Sequence, residues 1–192
     1  MKTHEMRERG DSMTIEERVF QINGHELLLR NAKEEDAQML ISGLKTMCGE
    51  TPYLAKEPEE ITLTIEEEIE FIHMQNASEG NLFLIGFWDG VYVGNCSFMG
   101  ISMLRNKHRV TMGIALQQKY SGNGIGTKMI ETLLDVAKEK GIEQMELEVV
   151  TTNERAIGLY KKMGFEIFGT MPDNMKYKDG SYADVYWMMK KL

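Results

Sequence analysis

Proline and cysteine are scarce in this chain, with 3 prolines and 2 cysteines among 192 residues. Cys48 and Cys96 lie far apart, with no metal-ligand spacing around them, so they read as reduced core thiols and no metal site is expected. No run approaches the roughly 18 consecutive apolar residues that a membrane span requires. The opening stretch Met1 to Arg9 has no apolar core of the kind found in a secretory signal. A cytoplasmic protein without a membrane partner is therefore expected. Dense clusters of Lys and Arg are missing too. With 22 Lys and Arg against 30 Asp and Glu, the net charge is −8, which disfavours a nucleic-acid partner held through clustered cations.

What is present is an evenly spread 42% of hydrophobic residues, enough for a sizeable core. One domain over 16–192 is expected, after a loose polar lead-in over 1–15. Val19 to Ile22 and Glu26 to Arg30 flank Asn23-Gly24, the signature of a type I′ hairpin. Leu82 to Trp88 and Val91 to Ser97 flank Asp89-Gly90 in the same way. Between the hairpins, a helix is expected from Glu34 to about Cys48, with Ala37, Leu40, Ile41 and Leu44 as its apolar stripe. A second should start at Thr64, which forms a capping box with Glu67. The remaining order is a strand from His108 to Leu116, a helix from Gly126 to Lys140 and a strand from Met145 to Val150. A helix from Glu154 to Met163 and strands at Phe165 to Thr170 and Tyr182 to Met189 follow. Hairpins followed by alternating strands and helices imply a mixed sheet with helices on its faces.

Ser121-Gly122-Asn123-Gly124-Ile125-Gly126-Thr127 lies between a strand and an amphipathic helix. Closely spaced glycines let successive N–H groups converge, and the helix N-terminus adds partial positive charge, so a phosphate or pyrophosphate would fit; a plain connecting turn is the alternative. No Gly-Lys-Ser/Thr ends the run, which excludes a P-loop. In the next strand, Glu146 and Glu148 alternate with Met145, Leu147 and Val149. Glu148 is either a solvated residue or a carboxylate facing a cleft, with partial burial raising its pKa for work as a base. Asn153 suits a helix N-cap and Tyr160 suits packing beside Ala156 and Met163.

Together these pieces resemble the GNAT superfamily of acetyl-CoA-dependent N-acetyltransferases. Ser121 to Gly126 is similar to its pyrophosphate loop, Ile114-Ala115-Leu116 to its splayed fourth strand, and Asn153 to Phe165 to its Asn-x-x-Ala-x-x-x-Tyr-x-x-x-Gly-Phe signature. The ending Gly180 to Met188 resembles members that acetylate protein N-termini, small amines or antibiotics. The resemblance implies an α/β (α+β) fold with a mixed, mostly antiparallel sheet of about seven strands and helices on both faces. It implies acetyl-CoA as co-substrate, no metal, an amine acceptor, and dimers as a common state among relatives. Ile114, Ala115 and Leu116 would line the pantetheine arm, and Ser121, Gly122, Asn123, Gly124, Ile125, Gly126 and Thr127 the pyrophosphate. Asn153 and Tyr160 would also meet the cofactor. Ser121 departs from the usual Arg or Gln, which removes one side-chain contact.

An alkylammonium, with a pKa of about 10.4, must lose a proton before it can attack a thioester. Thr111, Met112 and Gly113 occupy the stretch where many relatives carry a glutamate. Glu148 lies five positions before Asn153, where another branch of the family carries its base, so the resemblance implies Glu148 as base, directly or through water, and Tyr160 as the acid for the leaving thiolate. His73 and His108 are secondary base or substrate-binding candidates. The methionines, 16 in all, suit core filling and an adaptable pocket wall. A non-catalytic acyl-CoA binding or sensing module and a nucleotide-phosphate binder are the competing expectations. The first two helices, the loop 53–63 and a connection over 171–179 should choose the acceptor.

Overall fold

The computed structural model describes residues 12–192. Strands β1 (Arg18–Ile22) and β2 (His25–Asn31) form the first hairpin, β3 (Leu82–Trp88) and β4 (Val91–Gly100) the second. At both turns the two central residues take positive φ, 52° and 85° at Asn23-Gly24 and 49° and 78° at Asp89-Gly90, as a type I′ turn demands. Helices α1 (Ala37–Glu50) and α2 (Ile65–Ala77) connect the hairpins. The second half of the chain runs β5 (Arg109–Leu116), α3 (Ile125–Glu139), β6 (Gln144–Val150), α4 (Glu154–Lys162), β7 (Glu166–Lys176) and β8 (Tyr182–Lys191). These strands make one sheet of eight in the order β1-β2-β3-β4-β5-β6-β8-β7. These are the eight strands that the sequence segments add up to, where the family resemblance implied about seven; short β1 pairs with β2 along its whole length, from Arg18↔Leu29 to Ile22↔His25. Only β5 and β6 run parallel.

Each face of the sheet carries a helical layer. Met129, Leu133, Val136 and Ala137 of α3 and Ile157 and Tyr160 of α4 pack on Val110, Met112, Met145 and Leu147, forming the larger core. On the opposite face Ala37 and Leu40 of α1 and Ile72 of α2 pack on Ala32, Phe83, Ile85 and Tyr92. The buried side of α1 is Ala37, Leu40, Gly43, Met47 and Cys48; Ile41 and Leu44 are only partly covered. Gly43 owes its place to Tyr92, whose ring carbon Cε1 would be 2.4 Å from an added Cβ. The α2 cap is as expected: Glu67 N–H donates to Thr64 Oγ1 at 3.2 Å, and Thr64 N–H to Glu67 Oε2 at 2.8 Å.

Two segments differ from expectation. The end of the lead-in is tied down: Met13 is buried in the larger core, and its N–H donates to Ser78 O at 2.9 Å. The remainder, residues 1–11, lies outside the described residues. The supposed connection over 171–179 contains the second half of β7, which pairs again with β8 at Met175↔Ala183 and Lys176↔Tyr182. Pro172 and Asp173, with φ 51° at the latter, suit a turn but form a bulge, and Asp173 N–H is held by Asp184 Oδ1 at 2.9 Å.

Candidate functional site

β5 stays paired with β4 from Gly94↔Leu116 to Gly100↔Val110, but pairs with β6 only at Arg109, Val110 and Thr111. Beyond that point β6 continues along β8 to Val150↔Val185, so the two parallel strands separate. Antiparallel pairing sets which backbone groups face the opening. Gln117 N–H donates to Val93 O at 2.8 Å, so by alternation Ala115, Gly113 and Thr111 turn their N–H groups to β4. Met112, Ile114 and Leu116 therefore turn theirs toward β6; that of Met112 falls at the last rung of the β5–β6 pairing, beside Glu146, and those of Ile114 and Leu116 open into the gap. Ala115 lines the gap, but its own N–H is spent on the ladder.

The gap is part of a cleft of about 980 Å³. At one end lies the glycine loop. Gly122 and Gly124 take φ of 88° and 85°, and Gly124 is the N-cap of α3 with no side chain to occupy the helix's first N–H groups. The amides of Ile125, Gly126 and Thr127 thus head a helix of 15 residues and are left for an external anion. Gly126 also serves packing, since an added Cβ would come within 3.2 Å of Leu159 Cδ2. Arg155, to which the sequence reading gave no role, has Nη2 3.3 Å from where a Gly122 Cβ would lie. Arg155, Leu159 and Lys162, one helical face of α4 at i, i+4 and i+7, all line the cleft. Arg155 puts a cation beside the loop at which Ser121 has none.

Glu148 lines the cleft from the opposite face of the sheet to Leu147 and Val149, which are in the core of the α3–α4 side. It is exposed rather than partly buried. Instead Trp187 Nε1–H donates to Glu148 Oε1 at 3.0 Å, and Trp187 stacks on Phe168 with centroids 6.2 Å apart. Glu146, on the same face, is engaged by Arg109 Nη1 at 2.9 and 3.0 Å and serves structure. Asn153 caps α4 through Oδ1, which accepts from Ala156 N–H at 3.2 Å; Nδ2 remains for any cofactor contact. Tyr160 is buried, edge-to-face with Phe165 at 6.0 Å, and borders the cleft. Burial pushes its phenol up to about 12. His73 pairs with Glu34 at 2.7 Å on the surface, and neither it nor His108 is among the cleft residues, because helix and turn hold them elsewhere.

The loop 51–60 reaches across the opening. Tyr53 Oη donates to Thr152 O at 3.3 Å, and Lys178, from the turn between β7 and β8, pairs with Glu57 at 3.3 Å and Glu59 at 3.0 Å. Glu50, at the end of α1, accepts from Gln118 N–H at 2.7 Å.

The family model described as "Acetyltransferase (GNAT) family" matches residues 50–165. The chain belongs to that family. A solved GNAT-family acetyltransferase from Streptococcus pneumoniae is 30% identical, with a TM-score of 0.82 covering 86% of this chain and 99% of that one. The ribosomal-protein-alanine N-acetyltransferase of Brucella melitensis, at 22% identity, shares the fold with a TM-score of 0.75 over 85% of this chain and 99% of its own. Among curated proteins, the L-amino acid N-acetyltransferase AaaT of Escherichia coli is 29% identical over 56% of this chain and 66% of its own length. The matched stretch spans less than two thirds of the first curated relatives' length. Among the described residues no helix is long and apolar enough to cross a membrane.

In this GNAT chain Ser121, Gly122, Gly124, Gly126 and Thr127 of the loop, the splayed strands and the Asn153–Tyr160 segment line one cleft, while Asn123 and Ile125 are not among its lining residues. The contributions of Arg155, Trp187 and Glu50 were not legible. Each acts through a contact between elements distant in sequence, and only Arg155 had a local signal, its helical spacing from Leu159 and Lys162.

Proposed function

We propose that the protein transfers an acetyl group from acetyl-CoA to a primary amine, on a small molecule or a protein N-terminus. The observation that carries this reading is the gap between β5 and β6, with free N–H groups at Ile114 and Leu116, ending at an uncapped glycine-rich helix terminus. Backbone donors at that spacing suit an extended amide-bearing chain, and the loop with Arg155 suits the pyrophosphate at its end. The donor set fits the co-substrate without a metal.

The co-substrate supplies an activated acetyl thioester. The chain has to orient it, take one proton from the attacking nitrogen and stabilise the negative charge developing on the departing sulfur, which takes its proton from solvent. Glu148 accepts the ammonium proton, directly or through a water, with Trp187 fixing the carboxylate. The Ile114 amide polarises the carbonyl as the new C–N bond forms and the C–S bond breaks. Tyr160, protonated throughout the neutral range, donates to the sulfur. A second reading, a non-catalytic acyl-CoA binding module, has one observation in its favour: Thr111, Met112 and Gly113 bring no carboxylate to the opening of β5.

Thiol release from acetyl-CoA in the presence of an amine panel separates the two readings. Glu148→Gln is expected to lower kcat by about tenfold or more, since positioned proton transfer contributes roughly 10²–10⁴. Acetyl-CoA binding without any turnover would favour the binding module.

A further inference from the structure

The charges lining the cleft are unevenly placed. Its cations, among the described residues, are Arg155 and Lys162, both on the α4 face that borders the glycine loop. On the side of the sheet covered by α1 and α2, the charged lining residues are Glu50 and Glu148. The remaining charged lining residue, Glu154, opens α4 beside Asn153. Two cations near the acceptor side are already committed. Arg109 grips both carboxylate oxygens of Glu146, and Lys178 sits between Glu57 and Glu59.

An acceptor bearing a carboxylate next to its amine would bring that negative charge toward Glu50 and Glu148, and among the described residues no unpaired cation lines the cleft on that side. Unpaired charge in a partly desolvated cleft is costly, and like charges repel. An acceptor that is only cationic finds the reverse. Its ammonium meets Glu148, whose carboxylate is held in place by Trp187 Nε1–H. Met47, Tyr53 and Leu54 supply an apolar wall for the rest of the molecule.

Resting on the acetyltransferase reading, we infer that the acceptor is a cationic primary amine with no carboxylate beside the reacting nitrogen, and that free α-amino acids are poor substrates. The amine stands alone on a small molecule or begins a peptide, where the neighbouring carboxyl is an amide; both present the same chemistry to this site.

The test is thiol release from acetyl-CoA by the full chain with matched pairs: 2-phenylethylamine against phenylalanine, 3-(methylthio)propylamine against methionine, and cadaverine against lysine. Phenylalaninamide and a short alanine-initiated peptide form a second arm that distinguishes the small-amine from the peptide source. Rates are compared per neutral amine, so that differences in basicity cancel. The carboxylate-free member of the best pair is expected to have at least a tenfold higher kcat/KM. Equal or better use of the free amino acids would overturn the inference and leave acetyl transfer intact; silence with every acceptor would overturn both. Glu50→Gln should narrow the amine-to-amino-acid ratio by about threefold or more, as like-charge repulsion is relieved. An unchanged ratio would count against the charge argument.

Discussion

Tyr160 carries two demands at one position. The residue is 7% exposed and its ring packs on Phe165, while it also borders the cleft. Burial, by disfavouring phenolate, holds its pKa at about 12, so at neutral pH Tyr160 is a donor and never a base. Complete proton transfer from such a phenol to a thiolate of pKa about 8.5 is uphill, so its contribution is a hydrogen bond to developing negative charge rather than full protonation. Tyr160→Phe keeps the ring and removes only the donor. It is expected to lower kcat by about tenfold or more with little change in the thermal midpoint, as steady-state kinetics and a melting curve would report. A drop smaller than about threefold would reduce Tyr160 to a packing residue.

At the scale of elements, local signals were readable and joints were not. Asn-Gly and Asp-Gly specify their own turn geometry, and Thr64 with Glu67 specifies a helix start, so both hairpins and α2 were legible from a few adjacent residues. Replacing Thr64 by Ala removes an acceptor for Glu67 N–H and should cost about 1 kcal/mol, measurable as a lower urea midpoint with unchanged slope. The second half of β7 was not legible because Pro172 and Asp173 favour turns, and only pairing with β8 overrides them. The opening of β5 was accessible through family motifs alone, since nothing within Arg109–Leu116 announces that β6 will leave it. Its lip depends on Gly94, in β4. An added Cβ there would lie 2.2 Å from Ala115 O and 2.9 Å from Leu116 Cα, both backbone atoms that cannot swing away. Gly94→Ala should therefore destabilise by about 1–3 kcal/mol and raise the KM for acetyl-CoA by displacing the Leu116 amide. A normal KM in a folded variant would detach Gly94 from the site.

Across the whole molecule the two helical layers are held unequally. The α3–α4 layer shares a large apolar cluster with most of the sheet, whereas the α1–α2 layer, which faces the acceptor, rests on a smaller one. A buried ion pair supplements the latter. Arg30 of β2 donates to Asp36 Oδ2 at 2.7 Å and Oδ1 at 2.9 Å, while Lys33 N–H also donates to Oδ2 at 2.7 Å, at the entry to α1. Burial alone would push the Asp36 carboxyl up, but Arg30 and the Lys33 amide outweigh it and hold it below the usual carboxylate value. A pKa lowered by folding contributes stability in full above the unfolded value of about 3.9 and loses it as pH falls through the lower folded value. Asp36→Asn should therefore cost about 3 kcal/mol at pH 7, because Arg30 is left buried without its counter-charge. The gap between variant and parent should close as the parent's own carboxylate is protonated. Urea unfolding midpoints at pH 7 and at successively lower pH, down to the lowest at which both proteins remain folded, would measure it. A gap that did not shrink below about pH 4 would mean that Asp36 holds the α1–α2 layer by shape and neutral hydrogen bonding rather than by charge.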